Sequence, residues 1–311
     1  MILGAGYGKR LRPLTELRPK PLVPVGLKPI LEWHLDALLA LGVDSVALNA
    51  SHHADQIEGH VGGRAQRSPR VEVIREETPL GTGGGLLGAR RLLGREAHFL
   101  VINADIFHTI DLGDAVEAHD RAEADATLVV RRVGPDEPQD ELTIDANGRV
   151  TGISGMGGTA TGWRFTGVHV LSPKVFDYLS APGPLLTGYQ GLLADGAKVL
   201  AHDCGDALWF DVGTPAEYLT ANGAATQMAS SRQPVFPGVE IIEPTLTGSS
   251  TEIGTGCVIG PWAVIGEHAA IGDGSTLSDC VVWPDVSISP GSVLQGCVAY
   301  PGGTLAVVDG A

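Results

Sequence analysis

Residues 4–29, GAGYGKRLRPLTELRPKPLVPVGLKP, decide the reading of this chain. Gly4, Gly6 and Gly8 follow a short apolar run, Met1 to Leu3, so a strand leads into a turn whose backbone N–H groups can approach an anion. Lys9, Arg10, Arg12 and Lys20 supply positive charge along the same loop. A dinucleotide-binding turn would need G-x-G-x-x-G opening a helix, and Pro13 stops a helix at that point. A Walker-type G-K-S/T is missing as well. The residues therefore specify a phosphate-binding loop of another kind.

Outward from this loop, residues 30 to about 225 alternate helical and strand patterns. Ile30, Leu31, Leu35, Leu38, Leu39 and Leu41 recur with a helical period that Gly42 ends. Strand signals follow at 46–49, 71–74, 99–103, 127–130 and 165–171. The alternation predicts an α/β fold with a Rossmann-like, mostly parallel sheet. Such sheets bind ligands outside the carboxyl ends of their strands, where the glycine turn, Asp105 and a second glycine-rich loop around Gly81 all fall.

Beyond residue 238 the period changes to six. Ile241, Thr247, Ile253, Ile259, Ile265, Ile271 and Leu277 mark it, with Gly254, Gly260, Gly266 and Gly272 following. The phase then slips by one and resumes at Val282, Ile288 and Leu294. This hexapeptide pattern predicts a short left-handed parallel β-helix of about three coils. After the slip Cys280 and Cys297 should stack in adjacent coils. The expected domains are 1–225 for the α/β part, 226–237 for a linker rich in Ser and Pro, and 238–311 for the β-helix.

Composition bounds the function classes. An apolar fraction of 43% with 18% charged residues describes an ordered globular chain. The net charge of −15 excludes a nucleic-acid partner as the expectation, because duplex phosphates need a basic face. An enzyme for anionic substrates can still be acidic when local cations or metal ions receive the phosphates. No apolar run approaches the roughly 20 residues that span a bilayer, and no signal-peptide pattern opens the sequence, so a cytoplasmic protein without a membrane partner is expected. Cys204, Cys257, Cys280 and Cys297 lack C-x-x-C spacing and read as free thiols.

The ordered set Gly4, Gly6, Arg10, Leu11, Pro13, Leu14, Thr15, then Pro19, Lys20, Pro21, resembles the opening loop of the sugar-1-phosphate nucleotidyltransferases. The likeness extends over nearly the whole chain, toward the mannose-1-phosphate guanylyltransferases that carry a C-terminal β-helix. It implies that Arg10 contacts a nucleoside triphosphate and that Lys20 bridges its α-phosphate and the sugar phosphate. It implies a first strand that begins several residues before Met1. Leu3, Gly4, Ala5 and Gly6 would line the nucleotide. Lys9 stands where the family commonly has a small polar residue, and either adds a phosphate contact or points outward.

Asp105, closing FLVINAD, and Asp211, within WFDVGTP, match the positions that hold Mg²⁺ in the family. Oxygen ligands of this kind suit Mg²⁺ on substrate phosphates. The stretch Glu76 to Leu86, EETPLGTGGGL, resembles the loop that receives the base, with Glu77, Gly81 and Thr82 as candidates. A Glu77 carboxylate can accept from guanine N1–H and N2–H₂, which favours GTP. Phe165 to Pro173 resembles the strand lining the sugar pocket, with Thr166 and Gly167 as candidates; His169 reads as a core residue. The family's Glu-Lys-Pro before this strand is replaced by ISGMGGT at 153–159. That departure, with the T-G-G-G loop, also resembles uridylyltransferases acting on N-acetylmuramic acid 1-phosphate.

The resemblance thus implies transfer of a nucleoside monophosphate from an NTP to a sugar 1-phosphate, with GTP and mannose 1-phosphate foremost. A non-catalytic nucleotide-sugar-binding regulatory subunit is the alternative from another class. The β-helix is expected to serve packing or homo-oligomerisation, since His268 is its sole histidine and an acyl-transfer site is not expected there.

Overall fold

The computed structural model describes residues 1–64, 67–134, 137, 140–156, 162–228 and 235–307. The chain forms two compact units. One comprises Met1–Tyr7, Arg18–Pro21 and Leu31–Trp209, the other Gly8–Leu17, Leu22–Ile30 and Phe210 onward.

The first unit is built on a seven-stranded sheet. Its strands are β1 (Ile2–Leu3), β2 (Ser45–Ala50), β3 (Arg70–Arg75), β4 (Phe99–Asn103), β5 (Ala126–Arg132), β6 (Trp163–Leu171) and β7 (Val199–Asp203). Their order is β7-β5-β6-β4-β1-β2-β3. All neighbours are parallel except β6, which runs antiparallel to both β4 and β5. Continuous apolar runs such as FLVI in β4 suit strands covered on both faces. Ile2, Leu48, Val101, Ile102 and Leu128 are fully buried accordingly. The short β1 is an interior strand, between Leu48–Asn49 and Ile102–Asn103.

Helix α1 (Ile30–Ala40) forms where the period predicts it; Ile30, Leu31, Leu35 and Leu38 are buried, while Leu39 and Leu41 stay exposed. The register of β6 breaks between Phe165 and His169. Gly167 takes a φ of 84° there, and a Cβ on it would sit 2.8 Å from Asn103 Nδ2.

In the second unit the hexads coil as a β-helix. Strands β8 (Glu240–Ile241), β9 (Thr245–Thr247), β10 (Glu252–Ile253), β11 (Val258–Ile259), β12 (Ala263–Ile265) and β13 (Ala270–Ile271) are followed by β14 (Thr276–Val282), β15 (Ser287–Ile288) and β16 (Val293–Tyr300). Early pairs are 18 residues apart, as in Glu240↔Val258 and Val258↔Thr276, and later ones 17, as in Ala263↔Cys280 and Thr276↔Val293. The change falls inside β14, which runs from one face onto the next through Asp279 at φ 45°. A corner shortened by one residue is thus the physical form of the phase slip. Ile259, Ile265, Ile271, Leu277 and Val282 point inward and are buried.

Cys280 and Cys297 are register partners, and all four cysteines carry free thiols. Burial pushes both the Cys280 and the Cys297 thiol up. Helix α2 (Pro215–Met228) packs on β12 and β14, where the Trp283 indole N–H donates to the Tyr218 hydroxyl at 3.0 Å with both side chains fully buried. This helix carries Thr226 to Met228 of the expected linker, and residues 229–234 of that linker lie outside the described residues. No helix among the described residues is long and apolar enough to cross a membrane.

Candidate active site

The carboxyl edge of the first unit's parallel strands gathers several predicted residues. The Gly4 N–H donates to Asn49 Oδ1 at 2.9 Å, and a Cβ on Gly4 would meet Leu48 Cδ1 at 2.9 Å and Pro21 Cγ at 3.2 Å. Asn49 Nδ2 donates to Glu76 Oε1 at 2.7 Å, and Glu76 Oε2 accepts from the Leu80 N–H at 2.9 Å. One buried amide and one buried carboxylate thereby tie the turn after β1 to the ends of β2 and β3 and to the start of the helix Gly81–Gly88. Sequence reading missed both residues. The available signal was a polar residue following the apolar VAL run at Asn49; Glu76, after the charged Arg75, carried none.

Lys20 and Asp105 meet in the same unit. Asp105 follows β4 in a turn, and Lys20 Nζ lies 2.8 Å from its Oδ2, with the lysine side chain 13% exposed and the aspartate 38%. A part-buried ammonium fixed against a carboxylate is ordered before any anion reaches it.

The second unit holds Arg10 and Asp211. Gly8, at φ 58°, packs so closely on Thr15 that a Cβ would sit 2.8 Å from Thr15 Cγ2, while the Thr15 hydroxyl donates to the Gly8 carbonyl at 2.8 Å. This closes the turn that presents Lys9 and Arg10, both exposed. Arg10 NH2 is 3.6 Å from Asp211 Oδ2, and a Cβ on Gly213 would meet that same NH2 at 2.8 Å. The glycine of DVGT leaves the space in which the guanidinium lies.

The remaining candidates divide by exposure. Glu77 is exposed beside the buried Glu76. Gly81, at φ 76°, would place a Cβ 2.6 Å from the Gly183 carbonyl oxygen, and Gly83 one 2.7 Å from that of Pro184. The expected loop is helical from Gly81 on, and the glycines of its first turn allow close approach of the 183–185 backbone, where the Thr82 hydroxyl accepts from the Leu185 N–H at 2.9 Å. Leu3, Ala5 and Gly6 are half-buried. Thr166 is buried with its hydroxyl donating to the Val129 carbonyl at 2.8 Å, next to Gly167 in the bulge. His169 is a core residue: it hydrogen-bonds Tyr189, and burial pushes its imidazole down to about 3. Of the segment 153–159, residues 157–159 lie outside the described residues.

Comparison with known proteins points to one family. The family model described as Nucleotidyl transferase matches residues 1–228. A probable mannose-1-phosphate guanylyltransferase 2 from Arabidopsis thaliana is 30% identical over 301 residues, 93% of this chain and 82% of the relative. A mannose-1-phosphate guanylyltransferase from Mycobacterium tuberculosis is 28% identical over 275 residues, 82% of this chain and 76% of the relative. Among solved structures, HddC from Yersinia pseudotuberculosis complexed with GMP-PN is similar with a TM-score of 0.60 and 26% identity, covering 72% of this chain and 97% of that one. Because the family model runs through residue 228 and relatives named guanylyltransferases align over most of the chain, the chain belongs to the nucleotidyl transferase family and is a nucleotidyltransferase.

Proposed function

We propose that the protein transfers the nucleoside monophosphate of GTP to mannose 1-phosphate, giving the nucleotide sugar and pyrophosphate. The observation that carries this reading is the Lys20–Asp105 pair at the carboxyl end of the central strands, together with relatives named mannose-1-phosphate guanylyltransferases. An oxygen of the sugar phosphate attacks the α-phosphorus, a P–O bond forms, and the bond from the α-phosphorus to the bridging oxygen breaks as pyrophosphate leaves. The attacking phosphate is already ionised, so no protein nucleophile or general base is required. Lys20 is assigned to the α-phosphate and sugar phosphate, where a fixed ammonium favours the transition state over separated anions. Arg10 is assigned to the triphosphate, together with Lys9 and the backbone of Leu3 to Gly6.

Asp105 and Asp211 are assigned to Mg²⁺, because carboxylate oxygens are the hard ligands this ion takes alongside waters and phosphate oxygens. When bound, Mg²⁺ would neutralise charge on the phosphates. Glu77 is the carboxylate assigned to the guanine edge, because Glu76 spends its two oxygens on Asn49 and Leu80. Thr166 and Gly167 are assigned to the sugar side, and homo-oligomerisation, with the β-helix in a packing role, belongs to the same proposal. Light scattering checks the assembly. The reaction is tested by pyrophosphate release from purified protein with Mg²⁺, each of GTP and UTP, and a panel of sugar 1-phosphates. GTP with mannose 1-phosphate should be the fastest pair; silence across the panel would sink the proposal.

A further inference from the structure

The first unit holds a cluster of side chains that the reading of the motifs passes over. Arg131 on β5 lies directly opposite Arg164 on β6, and residues so paired project to the same face. Both guanidiniums lie over one indole: Cζ of Arg164 is 4.6 Å and Cζ of Arg131 5.6 Å from the centre of the Trp209 ring. The Trp209 N–H donates to the Thr166 carbonyl at 2.7 Å, which anchors the cluster to the bulge at Gly167. The cluster stands at the ligand-binding edge of the sheet, where β5 ends and the reversed β6 begins.

Like charges directly opposite one another across a ladder repel. Here both are half-buried, so solvent screens them less. Glu137 balances Arg131 at 2.9 Å, and the ring face of Trp209 favours both cations. Each guanidinium carries five N–H donors in a plane, the fork that grips phosphate or carboxylate oxygens. The sequence from Val150 to Gly162 that leads into β6 has Lys at no position and Arg at no position. Arg132, the next residue of β5, serves the other face, stacked 4.2 Å over Trp163 and 3.3 Å from Asp203.

We propose that Arg131 and Arg164, braced by Trp209, form an oxyanion subsite for the acceptor, gripping either its 1-phosphate or a carboxylate carried by the sugar. This rests on the acceptor reading given above and deepens it. The test is steady-state kinetics on the full chain with Arg131→Met, Arg164→Met and Arg164→Lys, and Arg132→Met as a control on the opposite face. Mannose 1-phosphate and N-acetylmuramic acid 1-phosphate serve as acceptors, the second adding a carboxylate.

Loss of either guanidinium should raise KM for the acceptor about 10- to 100-fold, the range of a charge-assisted hydrogen bond. KM for the nucleotide should stay within about 2-fold, Arg164→Lys should recover part of the loss, and Arg132→Met should match the parent. Equal losses for both acceptors identify the 1-phosphate as the group held; a loss confined to the second identifies the carboxylate. Unchanged acceptor KM in both methionine variants overturns the proposal. Should neither acceptor turn over, the functional reading falls while calorimetry still decides the subsite: the acceptors must bind the parent and lose binding in the Arg131→Met, Arg164→Met double variant, and equal or absent binding overturns it.

Discussion

Asn49 has two functional ends and uses both, holding Gly4 through its oxygen and Glu76 through its nitrogen. Replacing it with alanine leaves a backbone N–H and a carboxylate oxygen without their partner in a buried place. Asn49→Ala should therefore lower stability by about 2–3 kcal/mol or more, read as a fall in the urea midpoint at constant slope. Lys20 predicts the opposite split. Its partner Asp105 is open enough to be solvated when the lysine is lost, so Lys20→Met should keep the urea midpoint while kcat falls about 10²- to 10³-fold; Lys20→Arg should recover part of it. At this scale Arg10, Lys20, Asp105 and Asp211 stand out in the sequence because charged residues in ordered motifs announce themselves, while their pairing, Lys20 with Asp105 and Arg10 with Asp211, is visible only in the fold. Glu76 and Glu77 illustrate the limit. Adjacent identical residues have identical chemistry, and only the end of β3 decides which one turns inward.

Among elements, the hexapeptide period makes the β-helix legible down to its slip, because each coil repeats the same inward positions. The period also placed Cys280 beside Cys297. What it could not convey is that α2 is committed to the coils, since Tyr218 and Trp283 belong to unrelated patterns 65 residues apart. Trp283→Phe would leave the Tyr218 hydroxyl without that donor in a fully buried site. The expected cost is about 1–3 kcal/mol, and it should appear as a lower melting temperature. The T-G-G-G stretch carries a related lesson: its glycines read as a loop yet open a helix, and the surface that requires them small, the backbone of 183–185, is far away in sequence. Gly81→Ala combines a positive φ with a Cβ 2.6 Å from a carbonyl oxygen. It should destabilise by more than about 1 kcal/mol and raise KM for the nucleotide, since the start of the helix Gly81–Gly88 must shift; unchanged melting and KM together would contradict the packing described.

For the molecule as a whole, stability should depend on pH through histidines that the fold buries neutral. Burial pushes His34 down to about 3, His108 to about 4 and His169 to about 3, with the neighbouring His108 adding to the effect on His34. His34 and His108 stand 5.4 Å apart by ring centres, so charging one opposes charging the other. In the unfolded chain each titrates near 6.5. Between that value and the folded ones the unfolded state binds more protons, so stability rises with pH there and is lost as pH falls from about 6.5 toward 4 and then 3. The slope is on the order of 1 kcal/mol per pH unit for each histidine. Aspartates and glutamates titrate mostly below about 4.5, which leaves pH 6.5 to 5 as a window in which the histidines dominate. Urea midpoints measured across that window should fall steadily, and His34→Gln, which removes one titrating ring, should flatten the slope by about one proton's worth. A parent slope near zero would mean that these rings reach water in the native state, and an unchanged slope in the variant would exempt His34 alone.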